Sequence, residues 1–110
     1  MERALKEKSD TIITFYDDFD INYIVMGLPE EVKVNYISKL FKNTSPEEIK
    51  KALSFAAIYL EENGSINAMS ERLFVHPNTI KYRISKLTSE TGVDIRTCKG
   101  AYIFTLACSL

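Results

Sequence analysis

Between residues 65 and 90 the apolar positions repeat with helical spacing, and the polar ones fall opposite them. Ile80, Ile84 and Leu87 recur at i, i+4 and i+7, which stacks them along one side of an α-helix. At about 100° per residue, Asn78, Tyr82, Ser85 and Ser89 fall on the far side, with Lys81 and Lys86 beside them. That far side carries no acid. Proline suits a first helical position, where its missing N–H would have no partner, and it pushes the residue before it out of the α region. Pro77 therefore opens the helix and His76 is its expected N-cap. Upstream, Ser65 can cap a short helix that buries Ile66, Met69 and Leu73, leaving only Phe74 and Val75 before His76. Two short helices joined by so tight a turn predict a helix-turn-helix at about 65–91, its second helix spanning about 77–90.

The remaining pattern is also helical. Asp20 can cap a short helix from Ile21 to Met26, stopped by Gly27, and Pro29-Glu30-Glu31 begins another. Ile37, Leu40 and Phe41 line the buried side of that helix, and Asn43 is its expected end. Ser45-Pro46-Glu47-Glu48 is a capping box with proline at the first position. From Pro46 to Glu62 the pattern places Ile49, Ala52, Leu53, Ala56 and Leu60 on one side, widened by Phe55, Ile58 and Tyr59, and Asn63-Gly64 closes the helix. Beyond the helix-turn-helix, Thr91-Gly92 is a stop and Val93 and Ile95 can dock on the core. Thr97 can cap a last helix carrying Ala101, Phe104, Ala107 and Cys108. The exception is Thr11-Ile12-Ile13-Thr14-Phe15-Tyr16, whose β-branched and aromatic composition suits a strand without a partner. The expected fold is all-α, a bundle of five to six helices containing a helix-turn-helix, with an orphan strand near the N-terminus. Residues 1–19 are expected to be the tail of an upstream domain or a linker, and 20–110 the helical domain.

Composition narrows the function. The chain has 110 residues, 45% hydrophobic and 26% charged, which suits one small domain with a modest core. No apolar run approaches the roughly 20 residues needed to cross a bilayer, so no membrane role is expected. With two cysteines and one histidine, zinc-binding and redox spacings are absent, and reduced thiols are expected. No carboxylate pair or activated nucleophile accompanies His76, so neither an enzyme nor a cofactor is expected. The net charge of −1 does not by itself suggest a nucleic-acid partner, but its distribution does: residues 1–63 carry a net −4 and residues 64–110 a net +3. Such a split suggests that the C-terminal half faces phosphate.

Val75-His76-Pro77-Asn78-Thr79-Ile80-Lys81-Tyr82-Arg83-Ile84 resembles a known signature, His-x-Asn-Thr-(aliphatic)-x-Tyr-Arg-(aliphatic). It is that of the PucR- and CdaR-type regulators of purine catabolism and sugar diacids, bacterial transcription factors with a C-terminal Fis-like helix-turn-helix. The similarity extends from about Tyr59 to Leu106-Ala107, and more loosely to Tyr16-Asp17-Asp18-Phe19. Three departures stand out. Pro77 replaces a frequent arginine. Ser70 replaces a small alanine between the two helices, and its hydroxyl can bond back along its own helix. Gly100 replaces a common acidic residue, which implies that the last helix starts late or frays.

The candidate DNA contacts are His76, Asn78, Thr79, Lys81, Tyr82, Arg83, Ser85 and Lys86. An Asn78 amide can bond adenine N6 and N7. Lys81 and Lys86 suit phosphates, which add affinity without sequence information. Tyr82 either reaches a phosphate or thymine methyl, or packs on the upstream loop. Arg83 lies nearer the core side, where a pair with Glu71 or a neighbour competes. Thr79 either touches DNA or caps backbone, and His76 is structural or a phosphate donor. The expectation is a cytoplasmic, homodimeric regulator bound to double-stranded DNA. The resemblance implies that a small-molecule effector is sensed by a domain upstream of this chain. The alternative is a protein-interaction or dimerisation module that keeps the helix-turn-helix shape without binding DNA.

Overall fold

Local capping decides where most of the helices begin. The computed structural model describes residues 21–110, which form α1 (Ile21–Val25), α2 (Glu30–Leu40), α3 (Pro46–Glu61), α4 (Ile66–Leu73), α5 (Pro77–Thr91) and α6 (Cys98–Ser109). Ser45 Oγ accepts from the Glu48 N–H at 3.2 Å, Ser65 Oγ from Ala68 at 3.1 Å and Thr97 Oγ1 from Gly100 at 2.9 Å. Each satisfies one of the four N–H groups that a helix start leaves without a partner. Gly92, at φ 74°, ends α5 in the left-handed region and donates its N–H to the Thr88 carbonyl at 2.7 Å. A glycine takes that conformation without steric penalty.

The all-α expectation holds: among the described residues there are six helices and no strand. The strand expected at 11–16 and the tail or linker assigned to 1–19 lie outside the described residues. Some helix ends differ from the pattern by one to three residues, and α3 stops at Glu61 rather than Glu62. α1 stops at Val25 rather than Met26. α2 stops at Leu40 rather than near Asn43, because Phe41 leaves helical geometry at φ −110° and turns its ring into the core, where it is only 3% exposed.

One core collects residues from α2 through α6, and its largest fully buried side chains are Phe104, Met69, Ile80, Ile84 and Ile95. α3 packs against both α6 and α4, α4 against α5, and α1 against α6. This double contact shifts the buried side of α3 from the expected stripe. Phe55, Ala56 and Tyr59 are its buried residues, while Ile49, Ala52, Leu53 and Leu60 are only partly covered. Side chains placed at the flank of the stripe thus become central, since α3 has neighbours on more than one side.

Hydrogen bonds between helices complete the packing. The Tyr36 hydroxyl donates to the Ile103 carbonyl at 2.8 Å, tying α2 to α6, and burial pushes its pKa above the ordinary tyrosine value. The Cys108 thiol faces the Leu53 carbonyl at 3.5 Å, across the seam between α3 and α6. Burial, with a smaller contribution from the Glu61 carboxylate, pushes that thiol up to about 11.

Gly100 corrects an expectation. The last helix neither starts late nor frays: it begins at Cys98 under the Thr97 cap, with Gly100 buried in its first turn. A Cβ at Gly100 would lie 1.8 Å from the Asp94 carbonyl oxygen and 2.9 Å from Thr97 Oγ1. The missing side chain lets the 94–97 turn close against the helix.

Two outcomes follow. Gly100→Ala lowers unfolding free energy by about 1–3 kcal/mol, the usual cost of overpacking a tight site, and urea denaturation reads it. Exposed Cys98 reacts with a thiol reagent at pH 8 well before Cys108, whose thiol stays protonated. Because the folded pKa of Cys108 is raised from 9.0 to about 11, its proton favours the folded state. Its contribution to stability is full below pH 9 and is lost as pH rises through about 11.

Candidate nucleic-acid interface

The two helices of the motif, α4 and α5, are joined through Phe74, Val75 and His76. Phe74 turns the chain in the left-handed region, at φ 56° and ψ 44°, with its ring 93% exposed. A left-handed conformation costs a non-glycine residue roughly 1–2 kcal/mol, and two reciprocal bonds hold it here. The Val75 N–H donates to the Ser70 carbonyl at 3.2 Å, and the Ser70 hydroxyl donates to the Val75 carbonyl. Ser70 thus bonds across the turn rather than back along its own helix, because the left-handed residue folds the Val75 peptide over the last turn of α4.

α5 is held by one side only. Ile80, Ile84 and Leu87 are 0, 2 and 2% exposed, so the predicted seam is the buried face. Asn78, Lys81, Tyr82, Ser85, Lys86 and Ser89 are exposed, and Thr79 is half-buried. Tyr82 is 67% exposed, so most of its side chain is open to solvent. His76 is the N-cap: its Nδ1 accepts from the Asn78 N–H at 3.0 Å. A neutral imidazole with Nδ1 as acceptor carries its proton on Nε2, which remains a donor.

Ion pairs redistribute the charge that the sequence put in the C-terminal half. Arg72 contacts Glu61 and Glu62, each at 2.9 Å, and so clamps α4 to the end of α3. Arg96 is bidentate on Asp94, and the hydrogen bonds from the guanidinium hold that carboxyl below its ordinary pKa. Lys86 Nζ lies 3.7 Å from Glu48 Oε2, a looser pair. Arg83 is exposed and does not pair with Glu71; among the described residues neither it nor Lys81 has an ion-pair partner. Of the six C-terminal cations, Lys81, Arg83 and the loosely held Lys86 thus lie along α5, and exposed Lys99 stands apart on α6. Beside α5, a groove of about 210 Å³ is lined by Glu48, Lys51, Ala52, Phe55, Arg83, Lys86 and Leu87. Sequence pattern gives no hint of Lys51, which belongs to the acidic half and reaches this surface only through the packing of α3 against the rest.

Among the described residues, no group of three or more His, Cys, Asp or Glu could hold a metal ion. No helix among them is long and apolar enough to cross a membrane.

The family model of the PucR C-terminal helix-turn-helix domain matches residues 53–110, from the middle of α3 to the end of α6. The chain belongs to this family. Membership makes it a helix-turn-helix domain of the DNA-binding regulator type. Curated relatives agree with that placement. The purine catabolism regulatory protein of Bacillus subtilis is 30% identical over 91 residues, 81% of this chain and 17% of the relative. The proline-responsive transcriptional activator of the same organism is 36% identical over 56 residues, 51% of this chain and 14% of the relative. An uncharacterized protein of Mycobacterium tuberculosis is 40% identical over 52 residues, 47% of this chain and 13% of the relative. The chain thus spans less than a fifth of the length of each of these three. No solved structure matches it.

The His76 cap gives a direct test. Replacing it with alanine removes the acceptor for the Asn78 N–H and lowers stability by about 1 kcal/mol, while His76→Asn restores most of the loss. Thermal unfolding of the two variants reads the difference.

Proposed function

We propose that this chain docks α5 in the major groove of duplex DNA as part of a bacterial transcriptional regulator. The observation that carries the reading is the open polar face of α5, flanked by Lys81 and Arg83, which have no ion-pair partner among the described residues. Asn78 and Tyr82 face base edges from the first two turns, where a recognition helix reads sequence. Lys81, Arg83 and Lys86 meet phosphates. Ser85 and Thr79 contribute hydroxyls at the rim, and the His76 Nε2–H donates to a phosphate at the groove mouth.

A helix-turn-helix reads only a few base pairs, so the protein acts as a homodimer on a two-fold site, which multiplies the discrimination. The small-molecule effector is sensed by a region upstream of this chain, and the regulator works in the cytoplasm. The relatives' much greater length supports this division of labour.

One observation favours the second reading, a protein-interaction or dimerisation module. Ile24, Met26, Val32 and Val34 at α1 and α2 are 63, 83, 46 and 54% exposed. A chemical-shift titration separates the two: duplex DNA perturbs Asn78 to Lys86, whereas an interaction module responds to self-association at residues 21–41 and ignores DNA.

For the leading reading, Lys81→Ala combined with Lys86→Ala weakens duplex binding at least tenfold at low salt. The slope of log K against log salt becomes shallower by about 2, near 0.9 for each phosphate that the protein no longer neutralises. Unchanged affinity in fluorescence anisotropy would exclude α5 as the DNA-contacting element.

A further inference from the structure

The groove between α3 and α5 joins parts of the chain that carry opposite net charge. Lys51 comes from early in α3, while Arg83 and Lys86 stand one turn apart on α5, at the edge between its buried seam and its open face. These three cations share the groove with one carboxylate, Glu48, and with apolar Ala52, Phe55 and Leu87. A wall of low polarizability strengthens charge interactions close to it. Glu48 is a weak counterion: it lies 3.7 Å from Lys86, and the two side chains are 46 and 50% exposed. The capping box leaves it free for this role, since the Ser45 hydroxyl bonds the Glu48 N–H while the Glu48 carboxylate points to α5.

We propose that this groove is a seat for one backbone phosphate of the duplex, with Lys51, Arg83 and Lys86 as donors and Glu48 as a counterion displaced on binding. The inference rests on the reading of α5 as the groove-entering helix. It extends the DNA contact to α3, outside the helix-turn-helix. A duplex phosphate fits better than a small free anion for two reasons. Two of the three cations sit on α5 itself, and phosphates flank both edges of a helix lying in a major groove. The groove also lacks a sequestered polar donor, since no polar or charged residue among those described is buried. A pocket selective for a small anion would need one to hold its ligand away from water. Glu48 then acts as a restraint, because its negative charge opposes the phosphate that its neighbours attract.

The test is fluorescence anisotropy on the full chain with a duplex, over a range of salt, with folding checked by circular dichroism. Lys51→Ala lowers affinity several-fold and makes the salt slope shallower by about 0.9, the increment for a single phosphate. Lys50→Ala, the adjacent lysine that does not line the groove, has a smaller effect on both. Glu48→Gln raises affinity more than Glu47→Gln, which removes the same charge outside the groove. The proposal is overturned if each groove variant merely matches its neighbour while Lys81→Ala still weakens binding; the docking of α5 then stands without the seat. If Lys81→Ala also leaves affinity unchanged, the reading of α5 itself has failed. Inorganic phosphate that shifts the Lys51 and Arg83 resonances without competing with the duplex marks a free-anion site and equally overturns the proposal.

Discussion

The burial of Ile80, Ile84 and Leu87 against Met69, Phe104 and Ile95 is the constraint on which the remaining structure depends. These side chains fill one narrow side of α5 and leave the rest of its circumference open. Apolar burial contributes on the order of 25 cal/mol per Å², so a seam of this size anchors the helix without help from its polar face. The outer residues are thereby released from any structural duty. A helix gripped all round would be equally stable and would offer nothing to a partner.

The turn before α5 shows a local strain held in place by its surroundings. Phe74 adopts a left-handed conformation that glycine would take more easily, and the two bonds between Ser70 and Val75 brace it. Gly100 is the converse case, a glycine whose absent side chain is the point. The 94–97 turn passes so close to α6 that any Cβ would collide with a backbone carbonyl. Both residues depart from what sequence pattern alone would recommend. In each, a backbone approach across a turn outweighs the local preference.

Electrostatics follow the same logic. Arg72 and Arg96 are drawn into pairs with Glu61, Glu62 and Asp94, which uses them to tie helices and turns together. Exposed pairs of this kind add little stability, but they remove two cations from the outward field. Within the C-terminal half, three of the four cations that remain belong to α5, where Lys81 and Arg83 are unpaired among the described residues and Lys86 is only loosely held. The chain's net charge of −1 is therefore a poor guide to its surface.

Much of the architecture was legible in the sequence because it is written in short-range chemistry. Ser45, Ser65, His76 and Thr97 cap their helices within three residues of themselves, and Gly92 ends α5 by a conformation open to it alone among its neighbours. The periodicity of α5 assigns its buried and open sides correctly, since it faces the core along a single stripe. The periodicity of α3 is a weaker guide, because contacts on two sides move its buried face toward Phe55 and Tyr59. The Tyr36–Ile103 bond, the clamp of Arg72 on the end of α3, and the arrival of Lys51 beside Arg83 and Lys86 belong to the tertiary structure alone. Each joins residues whose separation along the chain says nothing about their separation in space, and only the packed core sets that second distance.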